Sequence, residues 1–154
     1  HDQITPEMIF ENTDSVSSVL RHSESAKTAV LNFASYKNPG GMFINGSSVQ
    51  EESLCHESDL YNVLSYFTDY YKYNSVHKNK ALYTNRAIYS PDIIFIRDKK
   101  TIKCDVITCA APNKGAAQKY YHVSDLENHN VLSDRIAFSE LPATYSRDVG
   151  ASAG

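Results

Sequence analysis

The spacing of hydrophobic residues along the chain predicts an alternation of helices and strands. A short continuous run of apolar and β-branched residues at 28–33 is typical of a strand that is buried on both faces. Hydrophobic residues also recur at spacings of four, three and four, which predicts a helix with one buried stripe formed by Leu60, Leu64, Phe67 and Tyr71. This alternation of element types favours an α/β layer structure.

Shorter segments complete the predicted pattern. Four of them are predicted to be strands: 8–11, 87–89, 93–97 and 103–109. Turns are predicted at Pro91-Asp92 and at 98–100. A helix is predicted at 15–22, and either Thr13 or Asp14 can cap its first turn.

Length and charge limit the classes of protein to which the chain can belong. Its 154 residues suffice for one layered core, so we predict one domain at 1–140 and a tail at 141–154 that is rich in small and polar residues. The net charge of −3 argues against binding of a nucleic-acid duplex, which requires many lysine or arginine contacts to phosphates. No apolar run is long enough to span a bilayer, and we expect a cytoplasmic protein.

The three cysteines, Cys55, Cys104 and Cys109, fall in predicted helix or strand. Their odd number argues against a disulfide framework and favours a reducing compartment. Neither their spacing nor that of the histidines matches a metal site, so we predict no metal and no other cofactor. We expect the thiols to be structural and buried.

Two neighbouring segments carry the candidate chemistry. The turn Asn38-Pro39-Gly40-Gly41 follows the strand at 28–33, and Gln50-Glu51-Glu52 opens a predicted helix. Adjacent glycines permit positive φ and let several amide N–H groups converge on an anion such as a phosphate. Neighbouring side chains on a helix point about 100° apart, so the two glutamates are expected to have separate roles.

Together these segments resemble the signature of the poly(ADP-ribose) glycohydrolase branch of the macrodomains, in its microbial form, where glycines are followed several residues later by Gln-Glu-Glu. Other segments resemble family sequence in the same order: 30–35, 53–55, 58–61, 83–91 and 105–113. The resemblance extends from about Asn12 to about Ala137. It implies a three-layer macrodomain-like mixed sheet flanked by helices.

The resemblance also implies a ligand and roles for particular residues. The ligand would be ADP-ribose, poly(ADP-ribose) or another ADP-ribose conjugate, lying across the carboxyl ends of the strands. Glu52 would act first as general acid on the departing ribose oxygen and then as general base on water, while Glu51 would hold ribose hydroxyls. The ligand-binding residues would be Asn38, Gly40, Gly41, Met42 and Gln50. For Asn38, a role in capping the turn is an equal alternative.

The chain departs from the family pattern at two points. Met42 stands where the family has its third glycine, and no second glycine-rich loop is found after 135–138, so the fold is either abbreviated at its C-terminus or the chain is a fragment. These departures favour an alternative function as a non-catalytic reader or sensor of ADP-ribose-derived nucleotide signals, as in bacterial anti-phage defence. A protein-interaction module without a ligand is a third possibility.

Overall fold

A computed structural model of the chain describes residues 4–42, 50–110 and 114–120. Its helices are α1 (Ser15–His22), α2 (Gln50–His56), α3 (Leu60–Leu64), α4 (Thr68–Val76) and α5 (Lys114–Ala117). Its strands are β1 (Ala29–Ala34), β2 (Ala87–Arg97) and β3 (Lys100–Ala110), and a short 3₁₀ turn lies at Asn79–Ala81. The predicted tail at 141–154 lies outside the described residues.

The three strands form a mixed sheet in the order β1-β3-β2. Strand β1 runs parallel to β3, with Ala29 opposite Asp105 and Ala34 opposite Ala110, whereas β2 runs antiparallel to β3. Because β1 and β3 end at the same edge, the segment that follows β1 begins beside the end of β3. The predicted mixed α/β architecture is confirmed.

The main core lies between one face of the sheet and the helices. It is formed by buried side chains from α1 to α4 and from β2 and β3: Val16, Val19, Leu54, Leu60, Leu64, Tyr71, Ile88, Phe95 and Val106. On the opposite face the side chains of Leu31 and Phe33 are 42% and 58% exposed. Within the described residues, helix packing therefore covers mainly one side of the sheet.

Helix α1 begins as its sequence predicts. The side chain of Asp14 accepts a hydrogen bond from the Ser17 N–H at 2.9 Å, so Asp14 is the N-cap. Its first-turn contact satisfies an amide that has no partner within the helix.

The outer edge of β2 pairs with the segment that follows α2. The Asp59 N–H donates to the Ile94 carbonyl at 3.2 Å, and the Ile96 N–H donates to the Glu57 carbonyl at 2.7 Å. The guanidinium of Arg97 contacts both carboxylate oxygens of Glu57, with Nη2 at 2.7 Å from Oε1. These contacts hold the C-terminal end of α2 against the sheet.

The predicted strand at 8–11 is wrong. These residues have no regular secondary structure, and the side chains of Met8 and Phe10 are 79% and 88% exposed. A strand requires a neighbouring strand to satisfy its backbone and a surface for its side chains. The described residues supply neither of these for 8–11. A local hydrophobic pattern carries no information about a neighbouring strand, so the prediction failed.

The single helix predicted through residues 60–71 is also wrong, because the structure divides it into α3 and α4. The chain tightens between them: Tyr66 N–H donates to the Val63 carbonyl and Phe67 N–H to the Leu64 carbonyl, each three residues back. The Ser65 hydroxyl bonds to the Tyr61 carbonyl at 2.8 Å, a contact that disturbs regular helices. The predicted stripe is nevertheless largely in the core.

The turn predicted at Pro91-Asp92 is a β-bulge within one continuous strand. The register of β2 against β3 shifts between Ser90 and Ile93, and Asp92 has a φ of +53°. The Asp92 N–H donates to the Asp105 carboxylate at 2.9 Å. Since proline has no N–H to offer the ladder, the chain accommodates it at the bulge rather than ending the strand. The turn predicted at 98–100 is confirmed between β2 and β3.

The cysteine prediction is confirmed for two of the three thiols. Cys55 and Cys104 are buried, whereas Cys109 is half-buried, and the three thiols form no disulfide with one another. Among the described residues, no helix is long and apolar enough to cross a membrane.

The β2–β3 turn gives a direct test of backbone strain. Asp98 and Lys99 have φ values of +49° and +65°, a conformation that glycine adopts without a Cβ clash. We expect Lys99→Gly to raise the free energy of unfolding in urea by about 1 kcal/mol. The control Lys103→Gly, at an exposed position within β3, should lower it by about 1 kcal/mol. A destabilised Lys99→Gly protein would contradict this account of the turn.

Candidate active site

The glycine-rich turn begins just after the end of β1. Its backbone is tied together by hydrogen bonds from the Asn38 N–H to the Ser35 hydroxyl at 3.2 Å and from the Gly41 N–H to the Asn38 carbonyl at 3.0 Å. Gly40 and Gly41 have φ values of +68° and +60°. The predicted turn therefore exists, and it uses the conformational freedom that glycine provides.

This turn lies directly against the two glutamates of α2. A Cβ placed on Gly41 would lie 2.6 Å from Glu52 Oε1 and 3.0 Å from Glu51 Oε2. Position 41 thus requires glycine for space as well as for backbone conformation. The structure brings the predicted turn and the predicted acids together.

Met42 occupies the position of the third family glycine without backbone strain. It is not among the residues with positive φ, and its side chain is half exposed. Its N–H donates to Glu52 Oε1 at 2.8 Å. Methionine at position 42 is therefore compatible with the main-chain hydrogen bond to the Glu52 carboxylate.

Glu51 is buried, and both of its carboxylate oxygens have donors. Oε2 accepts a hydrogen bond from the Ser35 N–H at 2.7 Å, and Oε1 accepts one from Asn32 Nδ2 at 3.3 Å. Burial raises the pKa of Glu51 to about 7. The donors from Ser35 and Asn32 oppose this shift, and the nearby carboxyl of Glu52 adds to it. Glu51 is thus a carboxyl that changes charge near neutral pH.

The two carboxylate oxygens of Glu52 differ in their contacts within the described part of the chain. The residue is 3% exposed, and Oε1 is fixed by the Met42 amide. Oε2 is buried and has no hydrogen-bond partner among the described residues. A buried polar atom in this condition costs about 1–3 kcal/mol, so a partner such as a bound ligand or a water molecule would stabilise it.

A buried polar pair supports Glu51 from beneath. Asn32 on β1 and Thr108 on β3 face each other in register, and Asn32 Nδ2 lies 3.2 Å from Thr108 Oγ1. Both residues are fully buried. Our sequence reasoning missed Asn32, Thr108 and Ser35. Asn32 could have been identified from its position in the middle of the apolar run at 28–33, because a buried side-chain amide needs a polar partner.

Two residues predicted to bind ligand have structural contacts here. The Gln50 carboxamide bonds to the backbone of β1, with Oε1 accepting from Phe33 N–H at 3.0 Å and Nε2 donating to the Leu31 carbonyl at 2.8 Å. Asn38 is exposed and contributes its carbonyl and N–H to the turn. Ligand contact by these residues, and by Gly40, Gly41 and Met42, stays a prediction.

Comparison with known proteins gives one family. Residues 3–98 match the model of the microbial-type PARG catalytic domain, PARG being poly(ADP-ribose) glycohydrolase. No curated protein matches the chain.

Solved structures of bacterial members are similar to the chain. Poly(ADP-ribose) glycohydrolase from Thermomonospora curvata, bound to the inhibitor ADP-HPD, is 30% identical with a TM-score of 0.68, and the match covers 80% of this chain and 49% of that one. The Deinococcus radiodurans enzyme in complex with ADP-ribose is 35% identical with a TM-score of 0.62, covering 73% of this chain and 49% of that one. The chain thus spans about half the length of these relatives.

The family model covers more than half of the chain, and it includes the turn at 38–42 and the acids of α2 that meet in the structure. The chain therefore belongs to the microbial-type poly(ADP-ribose) glycohydrolase catalytic-domain family.

Proposed function

We propose that the chain binds ADP-ribose units and hydrolyses the ribose–ribose O-glycosidic bonds of poly(ADP-ribose), with Glu52 as general acid and base. The observation that carries the proposal is the buried Oε2 of Glu52, which has no partner among the described residues although Oε1 is fixed. Support for the ligand comes from the related bacterial enzymes, which were solved with ADP-ribose and with ADP-HPD.

The proposed reaction uses Glu52 twice. In the first step Oε2 gives its proton to the departing ribose oxygen as the bond from the anomeric carbon to that oxygen breaks. In the second step the Glu52 carboxylate takes a proton from a water molecule as the water oxygen bonds to the anomeric carbon. The two steps together add one water across the glycosidic bond and restore the protonated acid.

The surrounding contacts suit this role. Holding Oε1 with the Met42 amide leaves one defined oxygen for proton transfer. Such positioning lowers the barrier, because the acid does not need to be ordered during the reaction.

Glu51 is proposed to hold ribose hydroxyls rather than to transfer the proton. Its oxygens already accept hydrogen bonds from Ser35 and Asn32, which fix the carboxylate, yet a carboxylate oxygen can accept more than one hydrogen bond. A hydroxyl donor from the ribose would favour the ionised form of Glu51. Ligand binding and the charge of Glu51 are therefore coupled in this proposal.

A reader that binds ADP-ribose without turnover is the second candidate. Met42 favours it, because a flexible thioether side chain stands half exposed where the family has a glycine. A role in anti-phage defence and a cytoplasmic location both stay predictions.

Glu52→Gln tests the assignment of the general acid. The amide keeps the shape of the side chain but cannot donate and recover a proton in the same way, so release of ADP-ribose from labelled poly(ADP-ribose) should fall roughly a hundredfold or more. Affinity for ADP-ribose, measured by calorimetry, should change little. The control Glu24→Gln, at an exposed residue paired with Lys100, should keep full activity.

The same assays separate the two candidate functions. Wild-type protein that binds ADP-ribose but releases none from the polymer is a reader. Wild-type protein that shows no heat of binding at millimolar ADP-ribose contradicts both candidates.

Gly41→Ala tests the close approach of the turn to the acids. The added methyl group would displace Glu52 Oε1 and would impose a positive φ on alanine. We expect a loss of activity of roughly tenfold or more, and a fall in the free energy of unfolding of about 1 kcal/mol. Met42→Ala, at the next position and without positive φ, keeps the backbone N–H that bonds to Glu52; it is the matched control for stability and should change the free energy of unfolding much less. Wild-type activity in Gly41→Ala would show that the turn does not position Glu52.

Glu51 should make stability depend on pH. Its pKa is about 7 in the folded protein and near 4.5 when unfolded, so the folded state binds more protons between these values. The free energy of unfolding should therefore fall as pH rises from 4.5 to 7, with a contribution from Glu51 on the order of 3 kcal/mol. Comparing urea unfolding of the wild type and Glu51→Gln across this range isolates the effect. Parallel pH profiles for the two proteins would show that Glu51 titrates normally.

A further inference from the structure

The side chain of Gln50 takes the place of a neighbouring strand at the outer edge of β1. Since β1 is the end strand of the described sheet, the Leu31 carbonyl and the Phe33 N–H point away from β3. Gln50 Nε2 donates to that carbonyl at 2.8 Å, and Gln50 Oε1 accepts from that N–H at 3.0 Å. One residue of a parallel strand makes this same pair of bonds, to the residues on either side of its partner.

The carboxamide also reaches a second element. Gln50 Nε2 lies 3.2 Å from Ser15 Oγ in the first turn of α1. An amide nitrogen carries two hydrogens, so the bonds to Leu31 and Ser15 use both. The side-chain carboxamide of Gln50 therefore has no N–H left with which to hold a ribose hydroxyl.

The next residue of α2 continues the contact with the same edge. Glu51 Oε2 accepts from the Ser35 N–H at 2.7 Å. Leu31, Phe33 and Ser35 are alternate residues, which present their backbone groups on one side of an extended chain. The first turn of α2 is thus aligned with β1 at three successive points of one strand edge, immediately before Glu52.

We propose that Gln50 is a positioning residue, which sets the register of α2 against β1 and so places Glu51 and Glu52 against the glycine-rich turn without touching the ligand. The inference deepens the proposed function and rests on it for the effect on turnover. It differs from the role in ligand binding that the sequence suggested for Gln50.

The chemistry of the site requires glutamine in particular. Glutamate would place an anionic oxygen against the Leu31 carbonyl, asparagine is one methylene shorter, and methionine has the length but neither the donor nor the acceptor. Gln50→Met is therefore the informative variant, since it keeps most of the volume and removes all three hydrogen bonds. Gln118→Met, at an exposed glutamine in the turn after α5, is the matched control.

Four measurements on the full chain test the proposal. In Gln50→Met, hydrogen exchange of the Phe33 amide should accelerate about tenfold or more. The kcat for poly(ADP-ribose) should fall about tenfold or more with little change in KM, because the acid is misplaced but the binding groups remain. The Kd for ADP-ribose should stay within roughly threefold of the wild type. The pKa of Glu51, followed by carbon NMR, should move down from about 7 as water reaches a loosened α2. Gln118→Met should match the wild type in all four.

Two results would overturn the inference. A Kd weakened about tenfold with Phe33 still protected would mean that Gln50 contacts the ligand. Unchanged kcat and unchanged Glu51 titration, despite lost protection of Phe33, would mean that Gln50 only covers the strand edge. If the wild type shows no turnover, the hydrolase proposal fails separately, and the Phe33 exchange, the Glu51 titration and the ADP-ribose affinity still decide the role of Gln50.

Ser15→Ala provides a second variant in case Gln50→Met does not fold. It removes only the bond from Gln50 to α1 and leaves both bonds to β1. Since Ser15 lies on another helix, a fall in kcat of roughly threefold at constant Kd supports positioning through Gln50. An unchanged kcat in a folded Ser15→Ala protein, where Gln50→Met is unfolded, would overturn it.

Discussion

The outer edge of β1 is the constraint on which the site depends. Three backbone groups along this edge, at Leu31, Phe33 and Ser35, bond to the side chains of Gln50 and Glu51. The backbone groups along a strand edge are rigid and recur at a fixed spacing. Side chains that bond to them therefore fix the position of the helix to which they belong. The helix is thereby held by hydrogen bonds whose donors and acceptors are otherwise without partners in the described sheet.

The glycine-rich turn completes the arrangement from the other side. Gly41 permits an approach to the carboxylates that a Cβ would block, and the Met42 amide then reaches Glu52. The acids are consequently enclosed between a strand edge and a turn, both of which offer N–H donors. Burial and donors act in opposite directions on Glu51, and burial prevails, since its pKa is raised. A pKa of about 7 leaves the Glu51 carboxyl partly protonated at neutral pH.

Much of this could be predicted from the sequence, and the limits have physical reasons. The strand at 28–33, the turn with two glycines and the acidic start of α2 each have a local signature in the chain. The meeting of Asn32 with Thr108, by contrast, depends on a pairing between residues 76 positions apart, which no local pattern specifies. The same holds for the partners of Gln50, because the position of β1 at the edge of the sheet is a property of the fold.

The errors follow the same division. The segment at 8–11 has the composition of a strand but lacks a neighbour among the described residues, and the helix predicted through Phe67 is interrupted where the chain tightens after Leu64. In both cases tertiary context overrides a local preference. Where local and tertiary preferences agree, as at the Asp14 cap, the prediction is confirmed.

The bulge at Pro91 has a consequence for the solubility of the fold. It interrupts the hydrogen-bonding pattern between β2 and β3. Further along β2, residues 57–59 bond to the outer edge of the same strand. At the opposite edge of the sheet, the carboxamide of Gln50 bonds to the outer edge of β1. Unpaired strand edges are the sites at which sheets of separate molecules join into aggregates. At these positions the outer edges of β1 and β2 are already bonded to residues of the same chain, so a strand from another molecule cannot pair with them.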